Sequence, residues 1–155
     1  MKKNISIFSM FLLLILSVNI GFAQNLATKK TIAKYEKDYI PEFQQSLAYR
    51  TGYPAFEKIN VEIDFASFDD NTEELDLAVR QLNMLKAALI FLGKDDVGKV
   101  SIEKGIKKVI IRKTKTPAEK EISLKNTNLT LATNSFDLKT LIGTPEIQKY
   151  LEKNL

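Results

Sequence analysis

Residues Thr72–Leu92, TEELDLAVRQLNMLKAALIFL, form the stretch of sequence that decides the fold. Apolar residues recur in it at intervals of three and four, which predicts a helix with one apolar side. Between Met84 and Leu92 the only charged residue is Lys86, so this half is expected to be buried on most sides and to form the centre of the core. The predicted core-facing residues are Leu75, Ala78, Val79, Leu82, Leu85, Leu89 and Leu92.

Both ends of this helix carry boundary signals. Asn71 or Thr72 precedes Glu73 and Glu74, and a small polar cap followed by acidic residues suits the positive end of the helix dipole. Gly93 is a typical stop at the other end. A shorter helix is predicted directly after it, to about residue 104.

Short alternating segments on the C-terminal side predict strands. The first is Lys107–Lys113. The next two, Glu121–Lys125 and Leu129–Thr133, are joined by Asn126-Thr127-Asn128, and because asparagine tolerates left-handed backbone, the pair predicts a hairpin. Thr144-Pro145-Glu146 then predicts the start of a final helix.

The N-terminal side predicts one helix and one strand. Residues 26–40 have helical spacing, and Pro41 is expected to kink the helix without ending it, so that it continues to about Tyr49. The segment Ile59–Phe68 predicts a strand with one apolar and one polar face, a pattern typical of an antiparallel sheet. The apolar face would carry Ile59, Val61, Ile63 and Phe65, and the polar face Asn60, Glu62 and Asp64.

The order of these elements predicts an α+β fold. We expect an antiparallel sheet of three or four strands, with a long central helix and N- and C-terminal helices packed on one face. The length suits a single domain, residues 24–155.

The first 23 residues are predicted to be a cleavable secretory signal. Lys2 and Lys3 are followed by an apolar run from Ile5 to Val18, and Gly21 and Ala23 are the small residues that precede a cut after Ala23. The run is short for a spanning helix, which needs about 20 residues. We therefore expect an exported protein, periplasmic or secreted, with no stable transmembrane segment after cleavage.

Composition excludes several chemistries. The 155 residues include no Cys and no His, which rules out disulfides, thiolate nucleophiles, imidazole metal ligands and Ser–His–Asp catalysis. The formal net charge of +4 falls to +2 once the signal, with two lysines and no acidic residue, is removed. This small excess does not support nucleic-acid binding. No cofactor and no metal site are expected.

Two groups of carboxylates are candidates for catalytic or metal sites, and each also has a simpler interpretation. Glu62 and Asp64 would point the same way from a strand, so they suit glycoside hydrolysis. Pairing with Lys108, Arg112 or Lys125 on a neighbouring strand explains them equally well. The acids Asp69, Asp70, Glu73 and Glu74 lack the spacing and the glycine of an EF-hand loop, and helix capping accounts for them.

Two segments are candidates for binding. The basic stretch around the predicted strand 107–113 suits an anionic partner. The segment Tyr49–Phe56 contains Tyr-Arg-Thr-Gly-Tyr-Pro, a loop with aromatic rings and a cation that suits recognition. The residues assigned to binding are Lys107, Lys108, Arg112, Lys113, Tyr49, Arg50 and Tyr53.

The sequence therefore predicts an exported, non-catalytic binding or interaction protein of the bacterial cell envelope. Its partner is expected to be another protein or an anionic envelope polymer. Two alternatives remain open: a small carboxylate-dependent hydrolase acting on glycans through Glu62 and Asp64, and an inhibitor or immunity protein for an envelope enzyme. The last rests only on analogy with other small exported domains.

Overall fold

The architecture comes from a computed structural model, which describes residues 26–68, 71–114, 120–133 and 139–155. The predicted signal, residues 1–23, lies outside the described residues. In chain order the elements are α1 (Leu26–Lys34), a π-helical turn (Tyr35–Tyr39), α2 (Ile40–Thr51), a 3-10 helix (Pro54–Lys58), β1 (Asn60–Ile63), a 3-10 helix (Phe65–Phe68), α3 (Thr72–Leu92), α4 (Asp96–Gly105), β2 (Lys108–Lys113), β3 (Lys120–Lys125), β4 (Asn128–Thr133) and α5 (Thr144–Asn154).

The central helix α3 has the predicted boundaries. The side-chain oxygen of Asn71 accepts hydrogen bonds from the backbone N–H groups of Glu73 and Glu74, at 3.1 and 3.2 Å. These bonds satisfy two of the amide groups that a helix start leaves unpaired. At the other end Gly93 follows the last residue of the helix. The buried apolar residues of α3 are Leu75, Ala78, Val79, Leu82, Leu85, Ala88 and Leu89.

The sheet is mixed, which corrects the prediction of a purely antiparallel one. Its strands lie in the order β1-β2-β4-β3, with β1–β2 and β2–β4 parallel and β3–β4 antiparallel. The connection explains the direction of β2, because α3 and α4 fill the crossover from β1 and a helical crossover returns the chain in the same sense. The mixture of helices and sheet fits the α+β class in broad terms.

The N-terminal helix continues past Pro41, as predicted, and widens just before it. The N–H of Ile40 donates to the carbonyl of Tyr35, five residues earlier, which closes the π-helical turn. Pro41 has no N–H to donate and its ring crowds the preceding turn. A π-helical turn relieves this crowding while the helix continues into α2.

The strand β1 is shorter than predicted. It comprises Asn60–Ile63, and the predicted second half of the strand instead forms the 3-10 helix Phe65–Phe68. The hydroxyl of Ser67 donates to the carbonyl of Asp64 at 2.6 Å. A short polar side chain that binds nearby backbone favours a turn over an extended strand.

The predicted hairpin of β3 and β4 is confirmed. Asn126 and Thr127 connect the two strands and have positive φ angles of 49° and 65°. Positive φ at both positions defines the type I′ turn, whose twist matches that of the strands. The N–H groups of Lys107 and Lys108 both donate to the carbonyl of Thr127, at 2.9 and 3.2 Å, so the turn is also tied to the start of β2.

One face of the sheet carries the core. Alternate residues of β1, β2 and β4 are buried there against the helical layer, in one cluster with α3 and α5. This burial removes the apolar side of each helix from water, which is the main driving force for the fold. The strand residues in the cluster are Val61, Ile63, Val109, Ile111, Leu129 and Leu131.

Side chains occupy both outer edges of the sheet. Beside β1, the side-chain amide of Gln44 donates to the carbonyl of Ile59 at 2.7 Å. Beside β3, the N–H of Leu124 donates to the hydroxyl of Tyr150 on α5 at 2.9 Å. At least one backbone group beside each edge strand is therefore paired within the chain.

Candidate binding surface

The face of the sheet opposite the core is polar, and we call it the open face. Strand pairing arranges its residues in rows that run across the strands. Most of these side chains are exposed or half-buried, so this face meets solvent. The first row is Asn60, Lys108, Asn128 and Lys125, the second is Glu62, Ile110, Thr130 and Ser123, and the third is Arg112, Ala132 and Glu121.

Two ion pairs lie on the open face. Lys108 pairs with Glu62 across β1 and β2. Arg112 pairs with Glu121 at 3.5 Å, and this pair spans Ala132, which lies between them in the register and is fully buried. Because all four charged side chains are partly exposed, each pair contributes at most about 1 kcal/mol to stability. Two of the predicted binding cations are therefore partly neutralised.

The other two predicted cations of this segment lie elsewhere. Lys113 reaches the core side of the sheet, where its ammonium group binds the carboxylate of Glu74 at 2.9 Å. Its backbone N–H donates to the hydroxyl of Ser67 at 2.9 Å. Lys107 is exposed just before β2. Alternation along the strand thus divides the basic stretch between two faces.

The predicted aromatic segment is also divided. Tyr49 is 88% exposed on the last turns of α2, next to the exposed Arg50. Tyr53 instead packs its ring edge-on against Phe56, with 5.1 Å between ring centroids, and its hydroxyl donates to the carboxylate of Glu103 on α4. That hydrogen bond raises the pKa of Tyr53. Tyr53 therefore fastens this loop to α4, whereas Tyr49 and Arg50 face solvent.

The fold gathers four lysines along the edge where β1 and β2 begin and β3 ends. We call Lys58, Lys107, Lys108 and Lys125 the lysine rim. Lys58 and Lys107 line one depression of about 40 Å³, and Lys108 and Lys125 occupy the same row of the sheet. Sequence reasoning did not assign Lys58 or Lys125 to binding. The hairpin register could have suggested Lys125, whereas Lys58 needs the three-dimensional fold.

The predicted carboxylates Glu62 and Asp64 line neither of two cavities formed by the described residues. Glu62 is exposed on the open face and engaged by Lys108. Asp64 follows the end of β1, where the backbone enters the 3-10 helix. Of the acidic cluster, Asp69 and Asp70 lie outside the described residues, while Glu73 and Glu74 start α3. Within the described ranges, no group of three or more acidic side chains is placed to hold a metal ion.

A second, mainly apolar cavity lies on the helical side. It has a volume of about 140 Å³ and is lined by residues of α3, α4 and α5, together with Leu155. Pockets that enclose small-molecule ligands usually measure about 300–1,000 Å³. The helices of the described ranges are also too short or too polar to cross a bilayer.

Comparisons with protein-family models, with curated proteins and with solved structures give no match to this chain. Its function is therefore argued from the chemistry of its own surface.

Proposed function

We propose that this chain is an exported, non-catalytic interaction protein of the bacterial cell envelope, which contacts a macromolecular partner through the open face. The open face carries the proposal, because it is a polar surface that the described helices leave exposed. Export is inferred from the predicted signal in residues 1–23. The partner is a protein or an envelope polymer.

Two cavities of the described residues are small. Volumes of about 140 and 40 Å³ are well below those of usual ligand pockets. The smaller depression has room for only a few water molecules. A polar sheet face with charged residues suits contact with a large partner.

The environment of Glu62 gives little support to the alternative of a hydrolase. The carboxylates that hydrolyse a glycosidic bond flank that bond, usually within a cleft. Glu62 instead is exposed on the open face and pairs with the cation Lys108. The ion pair with Lys108 agrees with the simpler interpretation of Glu62 as a partner in a cross-strand ion pair.

A steric test of the open face checks this proposal. Thr130 lies in the middle row, half-buried on β4, and Thr31 is a half-buried threonine on α1. The protein is expressed from its full-length sequence, purified, and sedimented with isolated bacterial envelopes at increasing concentrations. We expect saturable binding, weakened at least about tenfold by Thr130→Trp, which corresponds to about 1.4 kcal/mol. The matched control Thr31→Trp should bind as the wild type does.

Two outcomes would contradict the proposal. One is that the wild-type protein shows no saturable binding to envelopes. The other is that Thr130→Trp and Thr31→Trp bind equally well while both remain folded by circular dichroism. Turnover of a glycan by the wild-type protein that Glu62→Gln abolishes would instead favour the hydrolase.

A further inference from the structure

The first row of the open face alternates amides with amines. Asn60, Lys108, Asn128 and Lys125 follow one another across all four strands. Adjacent strands lie about 4.8 Å apart, so the row is about 14 Å long and its two lysines are about 10 Å apart. The fold therefore presents cations and hydrogen-bonding amides in one row across the sheet.

The lysine rim has an excess of positive charge. Within the described ranges, Lys58, Lys107 and Lys125 form no ion pair, and all three are exposed. Lys108 is paired with Glu62. Glu103, which accepts a hydrogen bond from the hydroxyl of Tyr53, also lines the depression beside Lys58 and Lys107 and offsets part of their positive charge. The exposed cations remain available to an anionic group from outside the chain.

The residue types select among anionic partners. Lysine ammonium groups bind carboxylates or phosphates as point charges, and asparagine amides both donate to and accept from hydroxyl groups. The row contains no aromatic side chain, which disfavours the base stacking that single-stranded nucleic acids need. It also lacks the exposed apolar residues that insert into a lipid surface.

From this geometry we propose that the lysine rim and the first row of the open face bind a linear, carboxylate-bearing polysaccharide. This inference rests on the proposed function and names the class of its partner. The acidic groups of the polymer pair with Lys107, Lys108 and Lys125, and its hydroxyl groups bind Asn60 and Asn128. Lys58 extends the cationic surface beyond the end of the row.

Titration with a defined polymer tests the inference. Polygalacturonate is the probe and uncharged dextran is the control polymer, with binding measured by isothermal titration calorimetry. We expect polygalacturonate to bind, dextran not to bind, and the affinity to fall as NaCl is raised. The variant Lys107→Glu/Lys125→Glu should bind at least about tenfold more weakly, because both side chains are exposed and are not needed for an ion pair in the fold.

A matched variant distinguishes binding at the proposed site from a general effect of net charge. Lys149→Glu/Lys153→Glu makes the same change in net charge at two exposed positions on α5. It should retain nearly wild-type affinity for polygalacturonate. Equal weakening by the two double variants would overturn the inference, as would tighter binding to vesicles of anionic lipid than to polygalacturonate.

The envelope assay distinguishes the two proposals. If Thr130→Trp loses envelope binding while Lys107→Glu/Lys125→Glu keeps it, the polysaccharide inference is wrong and the open face still contacts a partner. If the wild-type protein binds neither envelopes nor polygalacturonate, both proposals are wrong.

Discussion

Gln81 shows what a single buried polar residue does in this fold. It lies within α3 at 1% exposure. Its side-chain amide donates to the carbonyl of Ile142 at 2.9 Å and accepts from the N–H of Ile142 at 2.7 Å. The side chain thus pairs with backbone in the manner of a neighbouring strand. The sequence gives no sign of this role, because the partner lies 61 residues away.

Replacing Gln81 with leucine should destabilise the protein. Gln81→Leu replaces the polar side chain with an apolar one of similar size, and it leaves two buried backbone groups of Ile142 without partners. We expect the free energy of unfolding to fall by about 2 kcal/mol or more, measured by urea denaturation. Asn83→Leu, at an exposed position of the same helix, should change it by less than about 0.5 kcal/mol. Equal stability of the two variants would refute the role assigned to Gln81.

The elements differ in how well the sequence predicts them. The boundaries of α3 follow from Asn71, from an apolar stripe and from Gly93, all of which act locally. The hairpin also follows from local turn residues. Strand direction depends on which strands become neighbours. When one face of a sheet is exposed to solvent, apolar and polar residues alternate in the same way in parallel and antiparallel strands. The length of the helical crossover before β2 was the available signal for parallel pairing.

The junction of α3 and α4 depends on a close backbone contact. The N–H of Gly98 donates to the side chain of Asp95, the N-cap of α4, at 2.7 Å. A Cβ atom at position 98 would lie 1.8 Å from the carbonyl oxygen of Leu92. Since that atom belongs to backbone, the two helices would have to separate to make room.

Two glycine substitutions in α4 should therefore have different effects. Gly98→Ala is expected to lower the free energy of unfolding by about 1–3 kcal/mol or more, because it forces the backbone of α3 and α4 apart. At Gly105 the added Cβ would meet only the side-chain end of Leu155, at 2.3 Å, and this terminal side chain can turn away. Gly105→Ala should change stability by less than about 1 kcal/mol. Thermal unfolding followed by circular dichroism compares them, and a larger loss in Gly105→Ala would contradict the close contact.

At the scale of the whole molecule, the fold determines which of the basic residues lie together, and the sequence alone does not. The predicted basic stretch includes Lys107 and Lys108, which lie at the start of β2. It also included Lys113, which alternation turns toward Glu74 on the core side. Lys58 and Lys125 join the lysine rim only because β1, β2 and the hairpin meet there. Their proximity depends on strand order, which local sequence patterns do not predict.

A buried tyrosine links the N-terminal helix to the centre of the molecule. The hydroxyl of Tyr35 donates to the carboxylate of Asp76 on α3. Burial, followed by the hydrogen bond to Asp76, raises the pKa of Tyr35 above its usual 10.0. Its neutral form stabilises the folded state, and this contribution is complete below pH 10 and is lost as pH rises toward the higher folded-state pKa.

Alkaline stability should therefore depend on Tyr35. At neutral pH we expect Tyr35→Phe to be less stable than the wild type by about 1–2 kcal/mol. Above pH 10 this difference should shrink by about 1.4 kcal/mol per pH unit, because only the unfolded wild-type chain gains by ionising this residue. The control is Tyr49→Phe, whose ring is 88% exposed. Urea denaturation from pH 7 to pH 11 measures the difference in stability between the wild type and Tyr35→Phe. A difference that stays constant with pH would contradict the role given to the Tyr35 hydroxyl.

The hydrogen bond from Leu124 to Tyr150 has a consequence for self-association. A free strand edge is the template on which a second molecule can add its own strand, the first step toward fibrils and domain-swapped dimers. To add to β3, an incoming chain must first displace the hydroxyl of Tyr150. Gln44 imposes a similar barrier beside the short β1. These two hydrogen bonds thus oppose strand addition at the positions they occupy, while the open face stays accessible.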